Sequence, residues 1–177
     1  MEKEKEKSFK NNQSPRTRRQ ESDIDKNLVS VRRVTKVVKG GRTMRFSALV
    51  VVGDRNGSVG IGTGKASEVP MAVEKATEKA KKNMKKINII DGTIPHEAVG
   101  KYSTSKILLM PAKPGCGVIA GGSARAVIEL AGIKDIVTKI HGSTNKINCV
   151  KATLNGLLSI KTKEEIAAKR GKSVEEI

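Results

Sequence analysis

The run Thr43-Met44-Arg45-Phe46-Ser47-Ala48-Leu49-Val50-Val51-Val52-Gly53-Asp54-Arg55-Asn56-Gly57-Ser58-Val59-Gly60-Ile61-Gly62-Thr63-Gly64 reads as a strand, a turn and a second strand. Met44, Phe46, Ala48, Val50 and Val52 alternate with Arg45 and Ser47, so the spacing predicts one buried face, with Arg45 on the other. Asp54-Arg55-Asn56-Gly57 supplies the hairpin turn, because Asn-Gly accepts the positive φ angles that a tight turn requires. Upstream, Leu28 to Val38 is a third run rich in β-branched residues. Three strands, Leu28–Val38, Thr43–Val52 and Ser58–Gly64, are expected in an antiparallel meander.

Downstream, Ser67 is placed to cap a helix with Pro70 in its first turn. Val69, Val73, Ala76, Ala80, Met84 and Ile87 recur at helical spacing as its core stripe. Lys75, Lys79, Lys82 and Lys86 fall on the opposite side, as a phosphate-binding ridge or a solvated face. Asp91-Gly92 and Pro95 mark a boundary within Ile90 to Glu97. A second unit follows: a strand Ser105–Met110, a helix Gly122–Ala131 stopped by Gly132, and a strand Ile133–His141. A helix capped by Ser143 or Thr144 then turns Ile147, Val150, Leu154, Leu157 and Leu158 to a core, and a short polar helix covers Lys163 to Lys169. The expected class is α+β, with a charged disordered arm at 1–26, domains at 27–90 and 91–160, and a tail at 161–177.

Charge narrows the function. The chain carries 35 Lys and Arg against 18 Asp and Glu, a net of +17, with Phe9, Phe46 and Tyr102 as its aromatic residues. Single-strand readers stack bases on aromatic rings, whereas a cationic surface without them suits phosphates, sugar hydroxyls and folded duplex shape. Structured RNA is therefore the expected partner, although a membrane surface or an acidic protein also fits bulk charge. The segment 27–90 holds fourteen basic and four acidic residues and is the main electrostatic footprint. Within it, Arg32, Arg33, Lys36, Lys39, Arg42, Arg45, Arg55 and Lys65 lie on or beside the sheet and its turns as candidate RNA contacts. Arg125, Lys146 and Lys151 follow in the second unit, and the Pro15-Arg16-Thr17-Arg18-Arg19 cluster of the arm is left as solvated tail.

Other chemistries fare worse. There is no apolar stretch of about 18 residues to span a membrane. The Glu/Lys-alternating start lacks the features of a secretion signal or transit peptide, so a cytoplasmic protein is expected. Cys116 and Cys149, read as small buried free thiols, form no metal-ligand spacing with each other or with His96 and His141. Gly57, Gly60, Gly62, Gly64 and Lys65 suggest a phosphate loop, but Val59 and Ala66 stand where that motif needs Gly and Ser or Thr. These glycines are expected to let strands bend or RNA approach. Gly115, Gly117 and Ala120, with Asp135 as ribose acid, fit a loose dinucleotide fingerprint distorted by Pro114. No catalytic constellation, cofactor or metal is expected.

Several motifs together carry a resemblance. They are Val37-Val38-Lys39-Gly40-Gly41-Arg42, Val51-Val52-Gly53-Asp54, Val59-Gly60-Ile61-Gly62, Gly64-Lys65-Ala66, Glu68-Val69-Pro70, Ile119-Ala120-Gly121-Gly122, Gly142-Ser143-Thr144-Asn145 and Ala168-Lys169-Arg170-Gly171-Lys172-Ser173. Through them the chain, from Leu28 to Ile177, resembles the bacterial family of ribosomal small-subunit protein five. The resemblance implies a double-stranded-RNA-binding-like domain of three antiparallel strands packed by a helix, then an α/β domain with a left-handed βαβ crossover. It implies a structural, non-enzymatic role in the small ribosomal subunit, with contacts to 16S-type ribosomal RNA and to neighbouring proteins four and eight. It also places the protein near the messenger RNA path and the decoding region, where it supports assembly and translational accuracy. The loop matching Lys39 to Phe46 would approach the RNA region where spectinomycin binds, with Gly40 and Gly41 permitting close backbone approach and Lys39, Arg42 and Arg45 supplying charge. Ordinary duplex-binding modules have a lysine cluster where Glu68-Val69-Pro70 stands here, which favours one fixed ribosomal site over generic duplex binding. A free RNA chaperone and a nucleotide-using enzyme are the competing readings.

Overall fold

The structure, a computed structural model, describes residues 24–173 and residue 176. The expected disordered arm falls, up to residue 23, outside the described residues. Strands β1 (Asp25–Val38), β2 (Gly41–Gly53) and β3 (Ser58–Ala66) form an antiparallel sheet that ends in the two-residue β4 (Lys85–Lys86), and helix α1 (Val69–Lys82) connects β3 to β4. Asp25 and Lys26, assigned to the arm from sequence, are strand residues paired with Gly53 and Val52.

The second sheet has the order β5 (Ala98–Tyr102), β6 (Ser105–Pro111), β8 (Ile136–Gly142), β7 (Val118–Ile119). Its first three members are antiparallel, while β7 runs parallel to β8 and reaches it through α2 (Gly122–Ala131). Helices α3 (Lys146–Ser159) and α4 (Lys163–Arg170) complete the chain. The mixed α+β class agrees with the sequence reading.

Alternation misjudged β2. Ala48 through Val52 are all buried, where a sheet covered on one side would expose every second residue. Ala48, Val50 and Val52 pack with Ala72, Ala76 and Ala80 of α1, while Leu49 and Val51 join Val127, Leu130, Val150 and Leu157 of the second unit in a larger core. Covering both faces turns the strand's solvent side into an inter-unit contact. Ile87, expected in the α1 stripe, belongs to that larger core, and Ala72 takes a place in the stripe.

The alternating glycines of β3 serve the helix. A Cβ at Gly60, Gly62 or Gly64 would overlap the carbonyl oxygen of Ala80, Ala76 or Ala72, respectively. The backbones of β3 and α1 therefore touch through glycine on one side and alanine on the other, a spacing that no larger pair allows. The expectation that these glycines serve strand bending or RNA approach is corrected to close helix packing.

The β2–β3 turn bonds the two units together. Asp54 Oδ1 accepts from the amides of Asn56 (2.8 Å) and Ser58 (2.9 Å). Arg55 (φ 54°) and Gly57 (φ 89°) are the turn's left-handed residues. Their amides donate to the carbonyls of Leu130 (3.1 Å) and Ala131 (2.9 Å). Those acceptors lie at the C-terminus of α2, where helical carbonyls lack partners and carry partial negative charge. Gly132 closes α2 at φ 88°, as its sequence position predicts.

Three local expectations are revised. Helix α1 starts after Glu68 without a side-chain cap, so Ser67 does not cap it. Asn145, not Ser143 or Thr144, caps α3 by accepting from the Ile147 amide (3.3 Å). The last strand starts at Ile136, because Lys134 and Asp135 instead donate their amides to Gly92 (2.8 and 3.2 Å).

Two outcomes follow. Gly62→Ala should destabilise the protein by about 3 kcal/mol or more, as overpacking against rigid backbone, whereas Gly40→Ala, with nothing within 4 Å of its Cβ, should change stability by less than about 0.5 kcal/mol; urea unfolding measures both. Burial pushes the Asp54 carboxyl up, but the amides of Ser58 and Asn56 hold it net below its ordinary 3.8. Its stabilisation is therefore full above that value and is lost as pH falls through the folded pKa. Asp54→Asn should lower the Tm at pH 7, with the difference from wild type shrinking below pH 3.8.

Candidate nucleic-acid interface

Strands β1 and β2 outrun their neighbour. β3 pairs with β2 only as far as Phe46, while the β1–β2 ladder continues to Val38 and Gly41. Residues 34–45 thus form a two-stranded ribbon projecting from the sheet. Both of its faces are open: Val37 is 74%, Met44 50% and Val38 43% exposed. Burial cannot account for valines and a methionine at a bare tip.

Register sorts the candidates by face. On the face that carries Leu49 lie Arg32 (opposite Ser47), Lys36 (opposite Thr43), Arg45 (opposite Val34) and Lys65 (also opposite Ser47). Arg33, opposite Phe46, and Arg42, opposite Val37, lie on the α1 face. Lys39, Gly40 and Gly41 make the tip, with Gly41 at φ 139° and open space around both glycines. Arg32, Arg33, Lys36, Lys39, Arg42, Arg45 and Lys65 are all exposed. None of the seven has an ion-pair partner among the described residues.

A groove of about 470 Å³ runs along the ribbon, lined by Val34, Thr35, Lys36, Val38, Thr43, Arg45 and Lys65. It offers cations, a hydroxyl and apolar side chains, with no carboxylate. A second groove of about 610 Å³ along α1 is lined by Glu74 and Glu78 as well as Lys26 and Lys81, so its charge is balanced. Of these two grooves, the ribbon groove has the one-sided charge that a phosphate chain requires.

The remaining candidates lie elsewhere. Arg55 sits in the β2–β3 turn, at the other end of β2 from the ribbon tip, roughly 40 Å away along a strand of this length. Its Nε donates to Asp25 Oδ2 at 2.7 Å, with both side chains exposed. Arg125 is exposed on the first turn of α2 and Lys146 opens α3. Lys151 donates to the Tyr102 hydroxyl (3.0 Å), its ammonium 4.6 Å from the ring centroid. These four do not join the ribbon. Lys75, Lys79, Lys82 and Lys86 are exposed, but the expected ridge crosses from α1 into β4. Sequence reasoning missed Val34, Val38 and Thr43, whose signal is a β-branched run extending beyond the strand that could cover it.

The dinucleotide reading loses its acid. Asp135 Oδ1 accepts from the Gly117 amide (2.8 Å), so the carboxylate holds the glycine loop closed on itself. Cys149 is buried in the core as expected, whereas Cys116 is exposed in that loop, which corrects the reading of both as buried. Among the described residues no helix is long and apolar enough to cross a membrane.

Comparison with known proteins completes the picture. Residues 24–88 match the family described as ribosomal protein S5, N-terminal domain, and residues 100–170 match ribosomal protein S5, C-terminal domain. Proteins named small ribosomal subunit protein uS5 from Cupriavidus pinatubonensis, Cupriavidus taiwanensis and Cupriavidus metallidurans are each 57% identical over 150 residues, covering 85% of this chain and 87% of the relative.

Because the ribbon cations have no ion-pair partner among the described residues, replacing Lys36, Arg45 and Lys65 together by Gln should leave the Tm of the free protein unchanged or slightly raised. A fall of several degrees would assign these side chains to stability and remove them from the interface.

Proposed function

The chain belongs to the ribosomal protein S5 family, and from that premise we propose that it is a structural constituent of the small ribosomal subunit that binds 16S-type ribosomal RNA. It is not an enzyme, and its place is cytoplasmic, within that subunit. The observation that carries the RNA reading is the projecting ribbon, where exposed Lys36, Arg45 and Lys65 line one groove that has no carboxylate. A ribbon bare on both faces gains its packing only when a partner fills the space around it.

Three strands packed by α1 support a double-stranded-RNA-binding-like domain over 27–90, followed by an α/β domain over 91–160 in which the β7–α2–β8 unit crosses left-handed. The groove face and tip engage the RNA backbone: Lys36, Lys39, Arg45 and Lys65 against phosphates, Gly40 and Gly41 where the chain meets RNA most closely. Arg32, Arg33 and Arg42 extend the contact around the ribbon. Arg125, Lys146 and Lys151 form a separate, weaker set, and Arg55 is peripheral because Asp25 already neutralises it. The protein helps to assemble the subunit, adjoins proteins four and eight, and influences accuracy near the messenger RNA path and the decoding region.

Arg42→Glu should weaken incorporation into the subunit or alter misreading; normal assembly with normal misreading would contradict the assignment. With a ribosomal RNA fragment in vitro, Lys36→Gln should lower the salt dependence of binding by about one unit of slope, as for one lost phosphate contact, and Arg55→Gln should lower it less.

A further inference from the structure

Helix α4 closes a groove of about 390 Å³ against the end of α3, lined by His96, Ser159, Lys161, Ile166, Lys169 and Arg170. Three of the six are permanent or near-permanent cations, brought together from two separate points of the chain. We propose that this groove is a phosphate-binding site, separate from the ribbon, in which Lys161, Lys169 and Arg170 hold the anion.

Local structure sets where each cation leaves the backbone. Thr162 caps α4 by accepting from the Glu165 amide (3.3 Å), which starts the helix immediately after Lys161. Buried Ala167 anchors the helix, so its last turn carries Lys169 and Arg170 back toward the Lys161 side chain. His96 is a scaffold in this arrangement. Its Nδ1 lies 2.7 Å from the Glu97 carbonyl, and its Nε2 accepts from the Lys161 amide (3.3 Å). Both contacts are met by one neutral tautomer, with Nδ1–H donating to the carbonyl, so the imidazole positions the chain at Lys161 and leaves the anion to the three cations.

The two lysines lie close enough to repel each other. A hydrogen bond from the Lys169 ammonium, then its charge and a little burial, hold Lys161 below the usual lysine range, with Glu165 pulling the other way. Glu165 does not fill the groove: its Oε1 accepts from Asn88 Nδ2 (3.4 Å), and the same amide donates to the Ile160 carbonyl (3.2 Å). Among the described residues no carboxylate lies within ion-pair distance of Lys161, Lys169 or Arg170. Two ammonium groups and a guanidinium fork around an open groove suit an anion with several oxygens to share, which favours phosphate over a single carboxylate.

The site goes beyond the ribosomal reading and is testable without RNA. In the full-length protein, the lysine Nζ and His96 ring resonances would be followed as sodium phosphate is added, against chloride and acetate at matched ionic strength. Phosphate should shift Lys161, Lys169 and His96 saturably, chloride and acetate should not, and Lys169→Gln should abolish the response while circular dichroism shows helix content retained. Equal, unsaturated drifts in all three salts would overturn the proposal, as would saturation by acetate equal to that by phosphate, which would indicate an acidic protein partner. The salt dependence of ribosomal RNA binding then names the source of the phosphate. A fall of about one unit of slope in a Lys161→Gln, Lys169→Gln double variant, as for one lost phosphate contact, supports an RNA backbone phosphate, and an unchanged slope alongside saturable phosphate binding supports a free phosphate compound. Loss of RNA binding by ribbon variants with the phosphate response intact separates the two proposals.

Discussion

Burial of β2 on both faces is the constraint from which the rest of the architecture follows. Ala48, Val50 and Val52 meet α1, while Leu49 and Val51 meet the second unit, so one strand belongs to two cores. Each buried aliphatic side chain of this size contributes on the order of 1.5–3 kcal/mol. Pulling the units apart would expose Leu49, Val51 and Val59 together with their partners Val127 and Leu130. The hydrogen bonds from the β2–β3 turn to the end of α2 add direction to that apolar contact. The two sheets therefore form a rigid platform rather than beads on a linker.

Rigidity at one end of β2 explains exposure at the other. A strand pair can project beyond its sheet as an ordered ribbon when its base is clamped, and here the clamp is the buried stretch from Ala48 to Val52. Beyond Phe46 the same two strands lose β3, and their side chains turn from aliphatic packing to Arg, Lys and bare valine. Electrostatics and shape then coincide at the ribbon, which carries cations without ion-pair partners among the described residues and a groove, while Arg55 near the clamped end is already paired. The α4 groove repeats this logic at small scale, with Thr162 and His96 setting the geometry and the lysines carrying the charge.

Much of this was readable in the sequence. The three N-terminal strands, α2 with its Gly132 stop, the α3 core face and the short α4 follow from periodicity and punctuation, because those patterns report directly on local backbone preference. What escaped reading depends on tertiary context. The alternation in β2 could not reveal that its second face would also be covered, since Leu49 and Val51 find their partners some eighty to a hundred residues later in the chain. The glycines at 60, 62 and 64 looked like flexibility or ligand approach because a single sequence does not show that alanines 72, 76 and 80 stand opposite them. Edge strand β5 was missed because Val99-Gly100-Lys101 carries too little hydrophobic signal to compete with a loop reading. Candidate contacts chosen by charge alone split between the ribbon and isolated positions, since charge gives composition and register gives location.

The account rests on the protein being an integral part of the small ribosomal subunit. Its most direct test is sedimentation of the tagged protein from cell extract after a high-salt wash at low magnesium, which separates the subunits. Stoichiometric retention in the small-subunit peak is the predicted result. Release to the top of the gradient would contradict it and identify a loosely bound RNA chaperone instead.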